Sequence, residues 1–137
     1  MTSETEQKLL KISESAYSTF ETIVNSYNSA KYCIDNNIEG DIVECGVAAG
    51  SQIASIALAC QEGNDKRRLW AFDSYQGIPM ASHKDTSQPG IKVFETPLPE
   101  VQDKDSLLIS SGITVYGLPT VKKNILDWGL DISNFIF

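Results

Sequence analysis

The stretch from Asp41 to Asp73 constrains the fold of this chain more than any other feature. It begins with a short run rich in β-branched residues, 41–47, which contains Gly46 and is typical of a buried strand. Apolar residues then recur at helical spacing, at Ile53, Ile56, Ala57 and Cys60. A second apolar run, 69–72, ends at Asp73. Strand, helix and strand within about thirty residues predict a βαβ unit, whose crossover is almost always right-handed.

The regions on either side of this unit have different patterns. Residues 1–39 predict a helical segment, in which one apolar face consists of Phe20, Ile23, Val24, Tyr27 and Ile34. Residues 77–106 have no clean period and contain four prolines, which indicates a lid-like insertion. After a short extended piece at 113–116, Pro119 begins another helix, which Gly129 ends, and residues 134–137 predict a third strand.

These elements predict an α/β fold of the Rossmann-like kind. We expect an N-terminal helical segment over residues 1–39 and a partial Rossmann-like domain over residues 40–137. An apolar third strand at Phe137 would leave an open sheet edge, which natural proteins avoid. We therefore expect a fold that is truncated after the third strand, with further sequence or a partner chain supplying the missing layer.

Composition argues against two classes of partner. The net charge is −7, with 18 acidic and 11 basic residues, and this balance does not suit a nucleic-acid surface. No run approaches the roughly 20 apolar residues of a membrane span, and the N-terminus lacks the apolar core of a signal peptide. Cys33, Cys45 and Cys60 have no framework spacing, which favours reduced thiols. The sequence thus predicts a cytoplasmic protein without a membrane or nucleic-acid partner.

Two predicted features converge at the carboxyl ends of the strands, where open α/β sheets bind ligands. Gly46 lets the backbone turn sharply. The small residues 48–51 leave room for a ligand beside the loop, where it can face the N–H groups of the following helix. Asp73 is placed to accept hydrogen bonds from a ribose diol. Each feature alone has an ordinary structural explanation as a turn, but together they favour a nucleoside-type ligand.

The loop composition favours one nucleoside over another. A dinucleotide fingerprint requires three glycines as G-x-G-x-x-G, whereas this loop has only Gly46 and Gly50. Glu44 would repel a pyrophosphate, but its carboxylate can bond loop amides or the cationic ammonium group of a methionine. The pattern therefore favours S-adenosylmethionine over NAD.

The two motifs GDIVECGVAAG and FDSYQGIP resemble the macrocin O-methyltransferase (TylF/MycF-like) family of class I S-adenosylmethionine-dependent methyltransferases. The resemblance is specific over residues 40–79 and covers the N-terminal half of that fold. Tyr75 stands where the family more often has phenylalanine.

The resemblance implies a cofactor site and a reaction. The candidate cofactor-binding residues are Glu44, Gly46, Val47, Ala48, Gly50, Ser51, Asp73 and Ser74. Residues 44–51 would hold the methionine and ribose portions, and Asp73 with Ser74 the ribose hydroxyls. The family uses Mg²⁺ held by carboxylates on later strands, so we expect Mg²⁺ only in a full-length form. We assign no metal ligand here, and the catalytic residues are unknown.

Three functions remain open at this point. The first is an O-methyltransferase, or its cofactor-binding portion, acting on a hydroxyl of a sugar or other small metabolite. The second is a non-catalytic nucleotide-binding or assembly module that needs a partner chain. The third is an NAD-dependent oxidoreductase domain. We leave open a homo-oligomer. Tyr17 or Tyr27 could reach the cofactor from the N-terminal helices, but we expect both to lie in the core, with Trp70 and Trp128.

Overall fold

The computed structural model describes residues 1–79 and 114–137. Four helices and three strands lie in these two ranges, in the order α1 (Ser3–Ser13), α2 (Phe20–Asp35), β1 (Ile42–Cys45), α3 (Ser51–Glu62), β2 (Leu69–Phe72), α4 (Leu118–Asp127) and β3 (Phe135–Ile136). Helices followed by a βαβ unit, a further helix and a third strand are the order that the sequence predicts.

The three strands form one parallel sheet in the order β1-β2-β3. Ile42 pairs with Leu69 and Cys45 with Phe72, so the carboxyl ends of β1 and β2 lie at the same edge. The connection through α3 is the crossover of a βαβ unit. The predicted α/β class and the predicted strand positions are therefore confirmed, and the candidate loop and Asp73 meet at one edge of the sheet.

The core forms where the helices meet one face of this sheet. Thr2 caps α1, because its side-chain oxygen accepts a hydrogen bond from the amide of Thr5. Most of α3 is buried, which suits a helix packed against both α2 and the sheet. The large side chains that are fully buried come from all four helices and from β2: Leu9, Ile12, Ile23, Ile53, Leu58, Leu69, Val121 and Ile125.

The two faces of the sheet differ in exposure. Burial alternates along β1 and β2, as expected when one face is packed. Leu69 and Ala71 are buried on the helix side, whereas Val43 is 56% exposed and Phe72 is 52% exposed on the other. Ile136 of β3 is also exposed.

Some sequence expectations do not match this arrangement. The described end of the predicted extended piece, Thr114–Tyr116, forms a turn and a loop. Tyr17 is 68% exposed because it lies in the connection between α1 and α2, so its prediction as a core residue is wrong. Trp70 is only half-buried, since it lies against Arg68 and Phe72. Tyr27 is buried, and Trp128 packs against the core, as predicted.

The division of the chain at residue 40 stays a prediction. Most of the predicted lid-like insertion, residues 80–106, lies outside the described residues. Within the ranges that the structure describes, no helix is long and apolar enough to cross a membrane.

Candidate functional site

The loop between β1 and α3 has an unusual backbone. Gly46 and Gly50 each have a φ of +91°, and Ala48 between them has a φ of +46°. The glycines adopt this left-handed region freely, but for a residue with a Cβ it costs about 1–2 kcal/mol. Some other interaction must therefore hold Ala48 in this conformation.

Gly50 is required for a second reason, which is the approach of α4. A Cβ at Gly50 would lie 3.1 Å from Cγ1 of Val121 and 3.6 Å from Cγ1 of Ile125. The side-chain amide of Asn124 donates a 3.1 Å hydrogen bond to the carbonyl of Ala49. Helix α4 thus packs directly onto the second half of the loop. Gly46, by contrast, faces open space, because a Cβ at this position would have no atom within 4 Å.

The Asp73 carboxylate lies against the first half of the loop. Its Oδ2 accepts hydrogen bonds from the backbone N–H groups of Val47, at 2.7 Å, and Ala48, at 3.1 Å. Its Oδ1 accepts a 2.8 Å bond from the N–H of Tyr75. Partial burial works to raise the pKa of Asp73, but hydrogen bonds from these three amides and from the Ser74 side chain outweigh it and hold the pKa below its usual value. Asp73 is therefore ionised and hydrogen-bonded to the amides of the loop.

Ser74 has a local role in the turn after β2. Its side chain is exposed, and its Oγ accepts a hydrogen bond from the N–H of Gln76. The next residue, Tyr75, has a φ of +56°, and its hydroxyl donates a 2.7 Å bond to the carbonyl of Ala71. These contacts fix the direction in which the chain leaves β2.

Glu44 contributes a second carboxyl group near the same edge. Its Oε2 is buried and has no hydrogen-bond partner among residues 1–79 and 114–137. Burial raises the pKa of Glu44 to about 7, the amide of Ile53 partly offsets this rise, and the charge of Asp73 adds to it. A buried carboxyl oxygen without a partner marks a place where a ligand donor can be accommodated.

Ser51, the first residue of α3, also has a buried polar atom without a hydrogen-bond partner among the described residues. It is 5% exposed, and its Oγ is buried without a hydrogen-bond partner in the described part of the chain. Buried hydroxyls are normally bonded, because leaving one unpaired costs about 1–3 kcal/mol.

Glu44 and Ser51 line one cavity of about 180 Å³. Five of the eight predicted cofactor-binding residues contribute to its walls: Glu44, Gly46, Val47, Ala48 and Ser51. Gly50, Asp73 and Ser74 are not among the lining residues; Asp73 accepts hydrogen bonds from the loop amides, and Gly50 contacts α4.

The rest of the cavity wall comes from the N-terminal helical region, where the sequence suggested only Tyr17, of these lining residues, as one that could reach the cofactor. The connection between α1 and α2 contributes residues 15–18, and α2 contributes Ile23. Tyr17 in this connection packs edge-on against Tyr116, with ring centroids 6.3 Å apart. The only signal in the sequence was a break between two helical patterns, filled with serine, alanine and tyrosine.

Comparisons with known proteins bear on the family and the fold of this chain. A family model described as Macrocin-O-methyltransferase (TylF) matches residues 21–106. The chain is 35% identical over 57 residues to the 8-demethyl-8-(2,3-dimethoxy-alpha-L-rhamnosyl)-tetracenomycin-C 4'-O-methyltransferase of Streptomyces olivaceus, a match that covers 38% of this chain and 22% of the relative. The matched stretch therefore spans under a quarter of the length of that relative.

A solved structure, the O-methyltransferase NovP, is similar in fold. The superposition has a TM-score of 0.61 at 22% sequence identity, and it covers 86% of this chain and 44% of NovP. At this identity the likeness bears on the fold alone, and it identifies the described elements as part of a Rossmann-like methyltransferase fold. Because the family model spans more than half of the sequence, the chain belongs to the TylF macrocin-O-methyltransferase family.

Proposed function

We propose that this chain binds S-adenosylmethionine in the cavity beside the β1–α3 loop and forms the cofactor-binding part of an O-methyltransferase. The acceptor is a hydroxyl of a sugar or other small metabolite. The observation that carries this proposal is the position of Asp73, whose carboxylate accepts hydrogen bonds from the amides of Val47 and Ala48.

The hydrogen bonds between Asp73 and the loop amides affect which ligand charge the loop can accept. In dinucleotide-binding folds, the glycine-rich loop and the following helix offer free N–H groups to a pyrophosphate. Here a carboxylate of the protein itself takes two of those N–H groups, and Glu44 lies nearby. A second anion at this loop would be repelled, whereas a cation would be attracted. This argument disfavours NAD and supports a cofactor that carries a sulfonium and an ammonium group.

The unpaired polar atoms fit such a cofactor. The Glu44 carboxyl can accept hydrogen bonds from a methionine ammonium group, and the Ser51 hydroxyl can donate to a carboxylate or a ribose oxygen. When bound, S-adenosylmethionine supplies an electrophilic methyl group for in-line transfer to a hydroxyl. The residues of this chain bind and orient the cofactor, and the connection between α1 and α2 covers it on the opposite side.

The acceptor class rests on the family and on one relative. The Streptomyces olivaceus enzyme is named as an O-methyltransferase, and its named substrate carries a rhamnosyl group. A sugar hydroxyl is therefore the acceptor class that we propose first. A cytoplasmic location and a homo-oligomer stay predictions.

The described residues do not fit a magnesium site. No group of three or more His, Cys, Asp or Glu side chains in residues 1–79 and 114–137 could hold a metal ion. Asp73, the best-placed carboxylate, is already bonded to three backbone amides.

Isothermal titration calorimetry with S-adenosylmethionine, its demethylated product S-adenosylhomocysteine and NAD tests the proposal. We expect both sulfur compounds to bind and NAD not to bind. Glu44→Gln should weaken binding, because it removes the charge that faces the ammonium group. Asp41→Asn is the matched control, since Asp41 bonds Arg68 and Trp70 at the opposite end of the strands. Preferential binding of NAD would support the oxidoreductase alternative, and binding of none would support the assembly module.

A further inference from the structure

We propose that Asp73 is a positioning residue that holds the β1–α3 loop in its binding conformation before any ligand arrives. Contact with a ribose is the role that the sequence suggests for Asp73. The structure points to an additional role that acts through the loop backbone. The proposal rests on the proposed function only for its effect on cofactor affinity, because the effect on the loop itself needs no ligand.

The hydrogen bonds of Asp73 leave little capacity for a ligand. Oδ2 already accepts two bonds, from the N–H groups of Val47 and Ala48. A carboxylate oxygen has about two acceptor positions, so Oδ2 is filled. Oδ1 accepts the bond from the N–H of Tyr75, which ties the same carboxylate to the turn after β2. The carboxylate thus links β2 and its turn to the loop that follows β1.

The loop needs such a link because part of its conformation is unfavourable by itself. Ala48 has a φ of +46°, where its Cβ is crowded, and its N–H is one of the two bonded to Oδ2. Gly46 is fixed on the other side by a 2.8 Å bond from its N–H to the carbonyl of Phe72. Charge-assisted hydrogen bonds are about twice as strong as neutral ones, so the Asp73 bonds can offset the strain at Ala48.

The second half of the loop is held independently. The side chain of Asn124 bonds the carbonyl of Ala49, and Gly50 packs against Val121 of α4. Loss of Asp73 should therefore release the segment from Gly46 to Ala48 and leave α3 in place. The walls of the cavity that consist of Val47 and Ala48 would then lose their fixed position.

The experiment compares Asp73→Ala with Asp41→Ala. Asp41 is the matched control because its carboxylate also accepts a backbone bond, from the N–H of Arg68 just before β2, and a bond from the Trp70 indole. Amide hydrogen exchange is measured by NMR on the ligand-free proteins. Protection at Val47 and Ala48 should be lost in Asp73→Ala and retained in Asp41→Ala. Thermal unfolding records the loss of stability in each.

Calorimetry then measures affinity for S-adenosylmethionine. Asp73→Ala should weaken binding by roughly 10- to 100-fold, as expected when charge-assisted bonds that shape the site are removed. Asp41→Ala should lower the melting temperature with a much smaller change in affinity. Asp73→Asn keeps one oxygen for the amides of Val47 and Ala48 but loses the acceptor for Tyr75, so it should be intermediate.

A second variant separates positioning from direct contact. Ala48→Gly removes the cost of the left-handed conformation, so in the Asp73→Ala background it should recover affinity by about fivefold. The same substitution in the wild-type background gives its direct effect on ligand contact. If Ala48→Gly recovers no affinity in the Asp73→Ala background beyond its effect in the wild-type background, the positioning role is overturned.

The outcomes separate this proposal from the proposed function. Full protection of Val47 and Ala48 in Asp73→Ala would overturn the proposal, whatever the affinity. Lost protection with unchanged affinity would also overturn it, because the loop conformation would then not matter for binding. Lost protection in Asp73→Ala, together with no binding of S-adenosylmethionine by the wild type, would refute the proposed function and leave the loop-holding role intact.

Discussion

Glu44 and Asp73 lie near the carboxyl ends of neighbouring strands, yet their surroundings shift the two pKa values in opposite directions. Asp73 accepts three backbone N–H bonds, which stabilise its charged form and lower its pKa. Glu44 is buried with one oxygen unpaired, and its pKa rises to about 7. Asp73 is therefore the charged member of the pair at neutral pH, Glu44 is only partly ionised, and an incoming cation would favour ionisation of Glu44.

The raised pKa of Glu44 predicts a pH dependence of stability. The native state holds the Glu44 proton up to about pH 7, whereas the unfolded chain releases it near 4.5. The native state thus binds more protons in that window, so the contribution of Glu44 to stability falls as the pH rises from 4.5 to 7. Glu44→Gln should remove this contribution, which is on the order of 2–3 kcal/mol. Urea unfolding at several pH values measures it, and parallel profiles for the two proteins would contradict the environment described for Glu44.

Gly46 and Gly40 form a matched pair for testing the site. Both have a positive φ, and a Cβ at either position would have no atom within 4 Å, so valine there meets backbone strain without a clash. We expect each substitution to cost about 1–2 kcal/mol of stability. Only Gly46→Val should abolish binding of S-adenosylhomocysteine, because Gly46 lines the cavity and Gly40 does not. Thermal unfolding and calorimetry on both variants check this. Normal binding by Gly46→Val would mean that the ligand binds elsewhere on the protein.

At the level of elements, the contact between α4 and the β1–α3 loop predicts a specific sensitivity at Gly50. Alanine there combines a φ of +91° with a Cβ only 3.1 Å from Cγ1 of Val121. The expected loss is about 2–4 kcal/mol, from backbone strain and overpacking together. Val121→Ala removes the methyl group that clashes, so the double variant should lose less than the sum of the single variants. Additive losses in denaturant unfolding would mean that Val121 does not limit the space at Gly50.

The elements themselves were predictable where the pattern was local. The β-branched run before Gly46 and the apolar run before Asp73 predicted both strands, because the spacing of apolar residues along the sequence reflects the period of a strand or a helix. The wall formed by residues 15–18 was not predictable as a unit, although the sequence suggested Tyr17 as a residue that could reach the cofactor. It depends on how α1 and α2 pack onto α3, where Thr5 and Tyr27 both donate hydrogen bonds to Glu62. Contacts between residues 35 to 57 positions apart leave no periodic signal.

The candidate site was predictable in its residues more than in their roles. Motif spacing indicated Glu44, the loop and Asp73, and the parallel register of β1 and β2 brings all three to one edge. No pattern in the sequence indicates that Ala48 adopts a left-handed conformation, or that Asp73 bonds its amide. Those facts arise from the distance between two loops, and only the folded backbone fixes that distance.

At the scale of the whole molecule, the sheet face that the helices in residues 1–79 and 114–137 leave uncovered has consequences in solution. Val43, Phe72 and Ile136 lie exposed on the face away from the helices. A contiguous apolar surface of this kind favours association, because burying it removes apolar area from water. We expect the chain to associate as its concentration rises, and we expect the double variant Val43→Thr, Phe72→Thr to associate less. Threonine is itself β-branched and suits a strand, so the fold should persist.

Sedimentation velocity over a range of concentrations measures this association, with circular dichroism as a check on the fold. Leu126→Gln is the matched control, because Leu126 is as exposed as Phe72, at 52%, but belongs to α4 and not to the sheet. The control should associate like the wild type. Equal reduction by Leu126→Gln would mean that exposed apolar area in general drives association, and a monomeric wild type at every concentration would contradict the argument from the sheet face.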